Sequence, residues 1–405
     1  MANAEHKVDV CIVGGGPAGM VLGLLLAKQG IKTLVLERHR NFDREFRGEV
    51  LMPRFVQMFR QIGLYDFIEQ YPHLKLKDIE IIFKHWHLAK FQISKISPEA
   101  PFAIWMPQPV LLNALYDKSK TLPNFDLWFS ASAHDVIEEN GKVVGVSVER
   151  DGKIIDVKAR ITVGTDGRAS TVRRSGGFDM EYEEHDFDIM WFTIPRPEGY
   201  EQTVRGFIST GINYLILPKY PDLLQCGLIV PKGEFGRFKE KGVPSLQKEL
   251  MKAYAILHPF AADLKDFTHF NVLQARVSYV KRWAKDGCLL VGDSAHTCSP
   301  AGAIGVSVAV GSAIVAAEVI AKSLKANDTS AEFLDQVQAI RGPEVKAIQK
   351  MQKEVTVGLI FSPLAFKWIV PFLFFIISKT PLLRHFQRKL LVMEKPLPID
   401  PALHF

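Results

Sequence analysis

Cysteine is scarce in this chain and never closely paired. Cys11, Cys226, Cys288 and Cys298 are the only four in 405 residues, and no CxxC occurs. That excludes a disulfide framework, and no Cys/His spacing suits zinc, so no metal is expected. Buried free thiols in a reducing compartment are the reading. Internal repeats, low-complexity tracts and Ser/Gly linkers are also missing, which excludes a solenoid, a disordered chain and domains strung on flexible tethers. The opening MANAEHK runs straight into the strand-like VDVCIV, without the basic and apolar regions of a secretory signal. Basic residues do not alternate with aromatics and the formal net charge is only +6, so nucleic acid is not an expected partner.

What is present suits one large core or two fused ones: 47% hydrophobic and 23% charged residues. Val8 to Val13 reads as a buried strand, Pro17 to Gln29 as an apolar helix stopped by Gly30, and Ile31 to Leu36 as a second strand. This is a βαβ unit of about thirty residues. A helix is expected around Pro53 to Gln70, and a loose strand pair near Ile79 to Ile93. Strands with turns at Asn140-Gly141 and Asp151-Gly152 follow from Phe125 to Val163. Asp186 to Leu273 is mostly strand-like, interrupted by a helix at Ser245 to His258. Cys288 to Val291 leads into a small-residue helix from about Gly302 to Leu324, and helices follow from about Pro343.

Three motifs carry chemistry. Gly14-Gly15-Gly16-Pro17-Ala18-Gly19 fits GxGxxG between strand and helix. Gly14 permits the tight turn, Gly16 lets backbone approach a pyrophosphate, and Gly19 lets the helix pack closely. The helix N-terminus offers free N–H groups and a positive dipole end to the phosphates. Glu37, ending the second strand, can accept two ribose hydroxyls, which suits FAD or NAD. The second motif, residues 288 to 307, reads CLLVGDSAHTCSPAGAIGVS. Asp293 at a strand end can bond a polyol hydroxyl, and the following helix N-terminus can stabilise negative charge on a flavin; a capped helix after a turn is the plain alternative. The third is Gly164-Thr165-Asp166-Gly167-Arg168-Ala169-Ser170-Thr171-Val172-Arg173, after a strand. Asp-Gly is a turn signal in any protein, and Ser170 and Arg173 would serve a phosphate-rich ligand equally well.

In this order and separation, GGGPAG with Glu37, TDGRASTVR and GDSAHTCSPAGAIG resemble the FAD-dependent aromatic hydroxylases, the single-component (class A) flavin monooxygenases similar to 4-hydroxybenzoate hydroxylase. The resemblance covers roughly residues 7 to 345. It implies an α/β fold: a Rossmann-like FAD-binding domain (1–72, 106–178 and 276–345) interleaved with a β-sheet substrate domain (73–105 and 179–275), and a C-terminal helical segment (346–405). It implies non-covalent FAD, with NADH or NADPH as transient reductant. Gly14, Gly16, Pro17, Ala18 and Gly19 would meet the pyrophosphate, and Glu37 the ribose with Arg38 beside it. Arg47, Gln108, Gly292 and Asp293 would fix the ribityl-pyrophosphate region. Asp166 would sit where the family couples FAD and NAD(P)H binding. Pro300, Gly302, Ala303 and Gly305 would lie along the isoalloxazine ring.

The chain departs from the family in places. Ser307 stands where Asn is usual beside the flavin, and Asn213 where the phenol hydroxylase has a tyrosine. No arginine matches the family's carboxylate clamp, so a benzoate is not the expected small-molecule substrate. The resemblance implies hydroxylation through a flavin C4a-hydroperoxide, with the flavin carrying the chemistry and no side chain needed as a strong acid or base. His296 is read as a structural hydrogen-bonding residue, and His85 and His87 as a solvated face. Trp191 to Pro195 is an aromatic strand ending at proline. An isoprenoid-saturating flavin reductase and a catalytically degraded flavin-binding protein are the rival readings.

Residues 357 to 378, VGLIFSPLAFKWIVPFLFFIIS, are strongly apolar but broken by Pro363, Lys367 and Pro371, which argues against a simple spanning helix. From Arg341 to Lys395 ten Lys and Arg face three Glu. Apolar helices with basic edges suit an anionic membrane surface. The expectation is peripheral membrane contact or a cap over an apolar tunnel, against a packed helical layer or dimer contact. A lipophilic or polycyclic aromatic substrate and a cytoplasmic location, with or without membrane attachment, complete the reading.

Overall fold

The computed structural model describes residues 4–43, 50–83, 86–209, 212–355, 375–376, 380, 397 and 400–405. The βαβ unit forms as its apolar pattern dictates. Strand Ala4–Val13 runs parallel to Thr33–Leu36 on one side and to Lys153–Gly164 on the other, with Val10 opposite Ile161 and Ile12 opposite Val163. Its inner half, Val10 to Val13, is buried on both faces, which is why it reads as a continuous apolar run rather than an alternation. The strand begins four residues earlier than its apolar run, because His6 and Lys7 pair with Val157 and Lys158 at the outer edge. Phe125–Trp128 and Cys288–Leu290 extend the parallel array at its two sides. Ala131–Glu139 and Lys142–Arg150 branch from Lys153–Gly164 as an antiparallel meander.

Five helices matter to the site: α1 (Pro17–Lys28), α2 (Pro53–Gln61), α3 (Gln108–Ser119), α4 (Gly305–Ala326) and α5 (Gln336–Val355). Helix α4 is long and apolar enough to cross a bilayer by length and composition, but it is mostly buried as the central helix of the first core. It begins at Gly305 rather than Gly302, because Gly302 and Ala303 take left-handed backbone (φ +82° and +52°) that ends the preceding loop. The helix expected over Pro53 to Gln70 is two pieces, α2 and Tyr65–Ile68, parted at Gly63 with φ +71°. Helix α5 starts before Pro343 and runs through it, held by packing rather than by local propensity.

A second sheet has the order His296–Thr297, Asn271–Val280, Met180–Pro195, Leu223–Pro231, Asn213–Lys219, Thr203–Ile208, Asp78–Phe83, Trp86–Gln92. Strand Asn271–Val280 crosses residue 276, where a boundary is expected from sequence, and pairs with this sheet on both sides of it. One face, with Met190, Phe192, Cys226 and Leu228, packs under the helices Glu234–Lys241, Val243–Leu250 and His258–Asp263. These replace the single helix expected at Ser245 to His258: the run ends in a turn after Leu250, and Pro244 and Pro259 each stand in the first turn of a separate helix. Leu215, Leu217 and Trp191 pack against the first core instead. All four cysteines are free and buried.

Nearly all of residues 357–378 lie outside the described residues; Phe375 and Ile376 are described and are exposed. Beyond them the chain returns to α2, where Gln61 exchanges hydrogen bonds with the backbone of Leu397 (2.6 and 3.1 Å) and Phe405 N donates to Ile62 O.

Candidate functional site

The three motifs, distant in sequence, meet beyond the carboxyl ends of three adjacent parallel strands, Ala4–Val13, Lys153–Gly164 and Cys288–Leu290. A Cβ on Gly14 (φ +112°) would lie 2.6 Å from Thr165 O and 2.8 Å from Asp166 Cα, so the glycine-rich turn is seated directly on the Thr165-Asp166 backbone. Thr165 Oγ1 donates to Gly14 O at 2.7 Å. A Cβ on Gly19 would fall 2.0 Å from Gly14 O, so this glycine closes the helix onto its own turn. A Cβ on Gly292 would sit 3.2 Å from that of Ala309 and 3.3 Å from that of Ala18, which brings the second motif against both α1 and α4.

Gly16 differs from these. Among the described residues a Cβ there would meet nothing within 4 Å, and the same holds at Gly305. Protein crowds Gly14 and Gly19 and leaves Gly16 and Gly305 open, each at a helix N-terminus where unpaired N–H groups and the positive dipole end collect. Gln108, the first residue of α3, and Ser307, in the first turn of α4, are both buried, yet Gln108 Oε1 and Ser307 Oγ have no hydrogen-bond partner among the described residues. Buried polar atoms without partners are uncommon and costly. Open cradles at two helix N-termini, with orphaned polar atoms close to two of the predicted contact positions, fit a phosphate-bearing planar cofactor.

Glu37 is buried; its Oε2 accepts from Gly15 N at 3.1 Å and its Oε1 from His39 N at 3.0 Å. Each oxygen keeps one lone-pair site for a ribose hydroxyl. Arg38 is exposed beside it and donates to His39 Nε2. Arg47 lies outside the described residues. Asp293 sits deep in the fold with its side chain still 37% exposed, and Arg168 Nε approaches its Oδ2 at 3.5 Å. Depth raises the Asp293 pKa although the Arg168 charge pulls it down. In the loop ahead of α4, Pro300 is half-buried and Gly302 exposed, with Ala303 between Gly302 and Ile304, the residue capping α4.

Asp166 is placed differently from a free ligand. Its carboxylate accepts from Ser170 Oγ, Thr171 N (2.6 Å) and Val172 N (3.2 Å), capping the short helix Thr171–Ser175. Burial raises its pKa. Ser170 and Arg173 are likewise engaged: Arg173 donates to Ser294 O at 2.9 Å and to Arg168 O at 2.6 Å, tying the third motif to the second. A phosphate role for either is therefore set aside.

His296 is buried, bonded through Nε2 to Ser312 Oγ at 3.0 Å, and packed on Trp283. Burial, assisted by the Arg341 charge, lowers its pKa to about 3, so it is a neutral packing residue. His87 pairs with Glu80 on an exposed rim, while His85 lies outside the described residues. Asn213 turns its Oδ1 to Ser209 N within its own hairpin.

Sequence reading missed a buried charge cluster under the loop. Arg54 on α2 and Arg341 on α5, both buried, share the carboxylate of Glu344; the Arg54 contact is 2.9 Å. Arg341 fills the space beside Gly311 of α4. The usable signal was an arginine embedded in the apolar run MPRFVQMF.

A parallel sheet whose three turns close on two helix N-termini defines a dinucleotide-binding flavoprotein. The chain belongs to the family described as FAD binding domain, which matches residues 7–352. It is 30% identical over 399 residues to 6-methylpretetramide 4-monooxygenase of Streptomyces rimosus, covering 98% of this chain and 94% of that one. It is 25% identical to digeranylgeranylglycerophospholipid reductase of Methanocella arvoryzae, covering 86% of each. The solved p-nitrophenol 4-monooxygenase of Pseudomonas putida DLL-E4 superposes with a TM-score of 0.81 at 18% identity, over 96% of this chain and all of that one. The chain is thus an FAD-dependent oxidoreductase of the monooxygenase kind.

Proposed function

We propose that the enzyme hydroxylates a lipophilic, extended aromatic substrate, taking electrons from NADH or NADPH and oxygen from O2, with its FAD held non-covalently. The observation that carries the substrate reading is the face of the second sheet turned away from its helical layer. Trp191 and Ile229 are half-buried on it, backed by the small buried apolar cluster of Phe187, Ile189 and Ala275. Trp191 lies flat on Gly227, where a Cβ would come within 2.7 Å of the indole. Trp191 Nε1 is buried without a partner among the described residues and suits an acceptor oxygen on a planar ligand. A wall of this kind favours fused or extended rings.

Bound FAD supplies the redox chemistry with pyridine nucleotide and oxygen. The chain's own part is to bind and orient. The N-termini of α1 and α4 present N–H groups to negative charge. Glu37 and Asp293 accept hydroxyl hydrogen bonds, and Gln108 and Ser307 supply the remaining polar contacts. The apolar sheet face keeps water from the reacting atoms. Asp166 acts through the Gly14 turn that its backbone supports.

An oxygen electrode and labelled O2 test the proposal. Oxygen uptake in step with NAD(P)H oxidation, and label in the product of a polycyclic phenol, are expected. Pyridine-nucleotide oxidation that saturates a double bond without oxygen would favour the reductase reading, which the similarity to the Methanocella reductase keeps in view. Intact FAD should leave the protein on denaturation. A membrane or tunnel-capping role for residues 357–378 rests on their sequence alone, and co-sedimentation with anionic vesicles is its test.

A further inference from the structure

Helix α5 lies along the segment 278–301 and meets its backbone with three glutamines. Gln338 accepts from Trp283 N (2.8 Å) and donates to Lys281 O (2.9 Å). Gln349 donates to Ser278 O (3.1 Å) and Thr297 O (2.9 Å). Gln352 makes the tightest set: its Oε1 accepts from Ser299 N at 3.0 Å, and its Nε2 donates to Ser299 O at 2.9 Å and Ala301 O at 2.6 Å. Gln352 is 1% exposed. Its amide pairs with Ser299 as a neighbouring strand would.

The loop needs such a partner. Residues 298–304 run between the two-residue strand His296–Thr297 and α4, with Pro300 lacking an N–H and Gly302 and Ala303 in left-handed backbone. Within the loop, Ala303 N reaches Pro300 O at 3.2 Å and Ala301 N reaches Ser299 Oγ only at 3.4 Å. Buried backbone groups left unpaired would be costly, so whichever side chain satisfies them fixes the loop's shape.

We propose that Gln352 is a positioning residue for the FAD ring: it holds Ser299 and Ala301 so that Pro300 to Gly305 keeps one spacing against the cofactor. This rests on the reading that the loop lines the flavin. Gln349, one turn earlier on the same helix, is the natural control, because it bonds two carbonyls outside the loop.

The test compares full-length holoenzyme with Gln352→Leu, Gln352→Glu and Gln349→Leu, reading the visible spectrum and two-electron midpoint potential of bound FAD. Both Gln352 variants are expected to alter the flavin band shape. They should also shift the ratio of reduced to oxidised FAD affinity by tenfold or more, about 30 mV. Gln349→Leu should lose thermal stability yet keep the parent spectrum and potential. Should Gln352→Leu fail to fold, Gln352→Glu decides, since it retains the acceptor for Ser299 N. Parent potential and spectrum in a folded Gln352 variant, or an equal shift in Gln349→Leu, would overturn the proposal while leaving the FAD site intact. A parent protein that binds no FAD would overturn the cofactor reading first.

Discussion

Arg168 holds its Nε 3.5 Å from Oδ2 of Asp293, so two motifs far apart in sequence share one ion pair. The pair is half open to solvent and contributes little to stability by itself. Its use is orientation: it leaves the other face of the Asp293 carboxylate to a ligand hydroxyl. Asp293→Ala is expected to weaken FAD binding about ten- to a hundred-fold, the worth of a hydrogen bond to a charged group. Titration of apoprotein with FAD measures it, and parent affinity in the variant would mean the acceptor is elsewhere.

The glycines of the first motif should separate by phenotype. Gly19→Ala puts a methyl 2.0 Å from Gly14 O, so it should lower the unfolding midpoint and the yield of folded protein. At Gly16 an added Cβ meets nothing within 4 Å among the described residues, so Gly16→Val should fold normally while losing FAD. Circular dichroism melts beside flavin content resolve the two. A yellow, fully loaded Gly16→Val protein would remove the phosphate cradle from α1.

Gly227→Ala should change substrate choice rather than cofactor binding. The added methyl would push into Trp191 at 2.7 Å and tilt the indole off the sheet. A rise in KM of roughly tenfold for extended substrates is expected, as for a loss of about 1.4 kcal/mol, with unchanged FAD affinity. Equal KM values across a substrate panel would take Trp191 out of the binding wall.

His296 should set part of the acid sensitivity. Its folded pKa, about 3, lies below the ordinary value of 6.5, so between those values the unfolded chain binds a proton that the folded chain refuses. Stability therefore falls as pH drops from 6.5 towards 3, with a slope from this group approaching 1.4 kcal/mol per pH unit. Denaturant unfolding of His296→Gln across that window should show a shallower slope than the parent. Identical slopes would show that other groups control acid unfolding.

The cofactor half of the molecule was readable because each of its devices is local. The turn at Gly14, the acid at Glu37 and the turn at Gly292-Asp293 are short patterns with fixed mechanical roles, and the structure brings them together. What escaped was long-range. Nothing in the sequence pairs Arg54 with Glu344, or Gln352 with Ser299, since side-chain partners 290 or 53 residues apart leave no periodicity. The resemblance assigns Asp166 to the coupling of FAD and NAD(P)H binding; its bonds to Thr171 N and Val172 N, which hold its carboxylate over a short helix, carry no signal of their own in the sequence. Helix ends near Gly302 and Pro343 shifted because backbone conformation at Ala303 and packing at Gln338 outweighed local preference.

Strand Lys153–Gly164 lies between Ala4–Val13 and Cys288–Leu290, and this has a consequence for how the protein is made. The first phosphate-facing turn emerges from the ribosome early, but the strand that seats Asp293 is synthesised some two hundred and seventy residues later. The nascent chain therefore carries a finished helix N-terminus long before it carries a complete cofactor cleft. Chains cut short ahead of Cys288 would lack one wall of the cleft however well their first βαβ unit had folded. Uptake of flavin is in this sense a late event of biosynthesis, since it needs Cys288–Leu290 beside Lys153–Gly164.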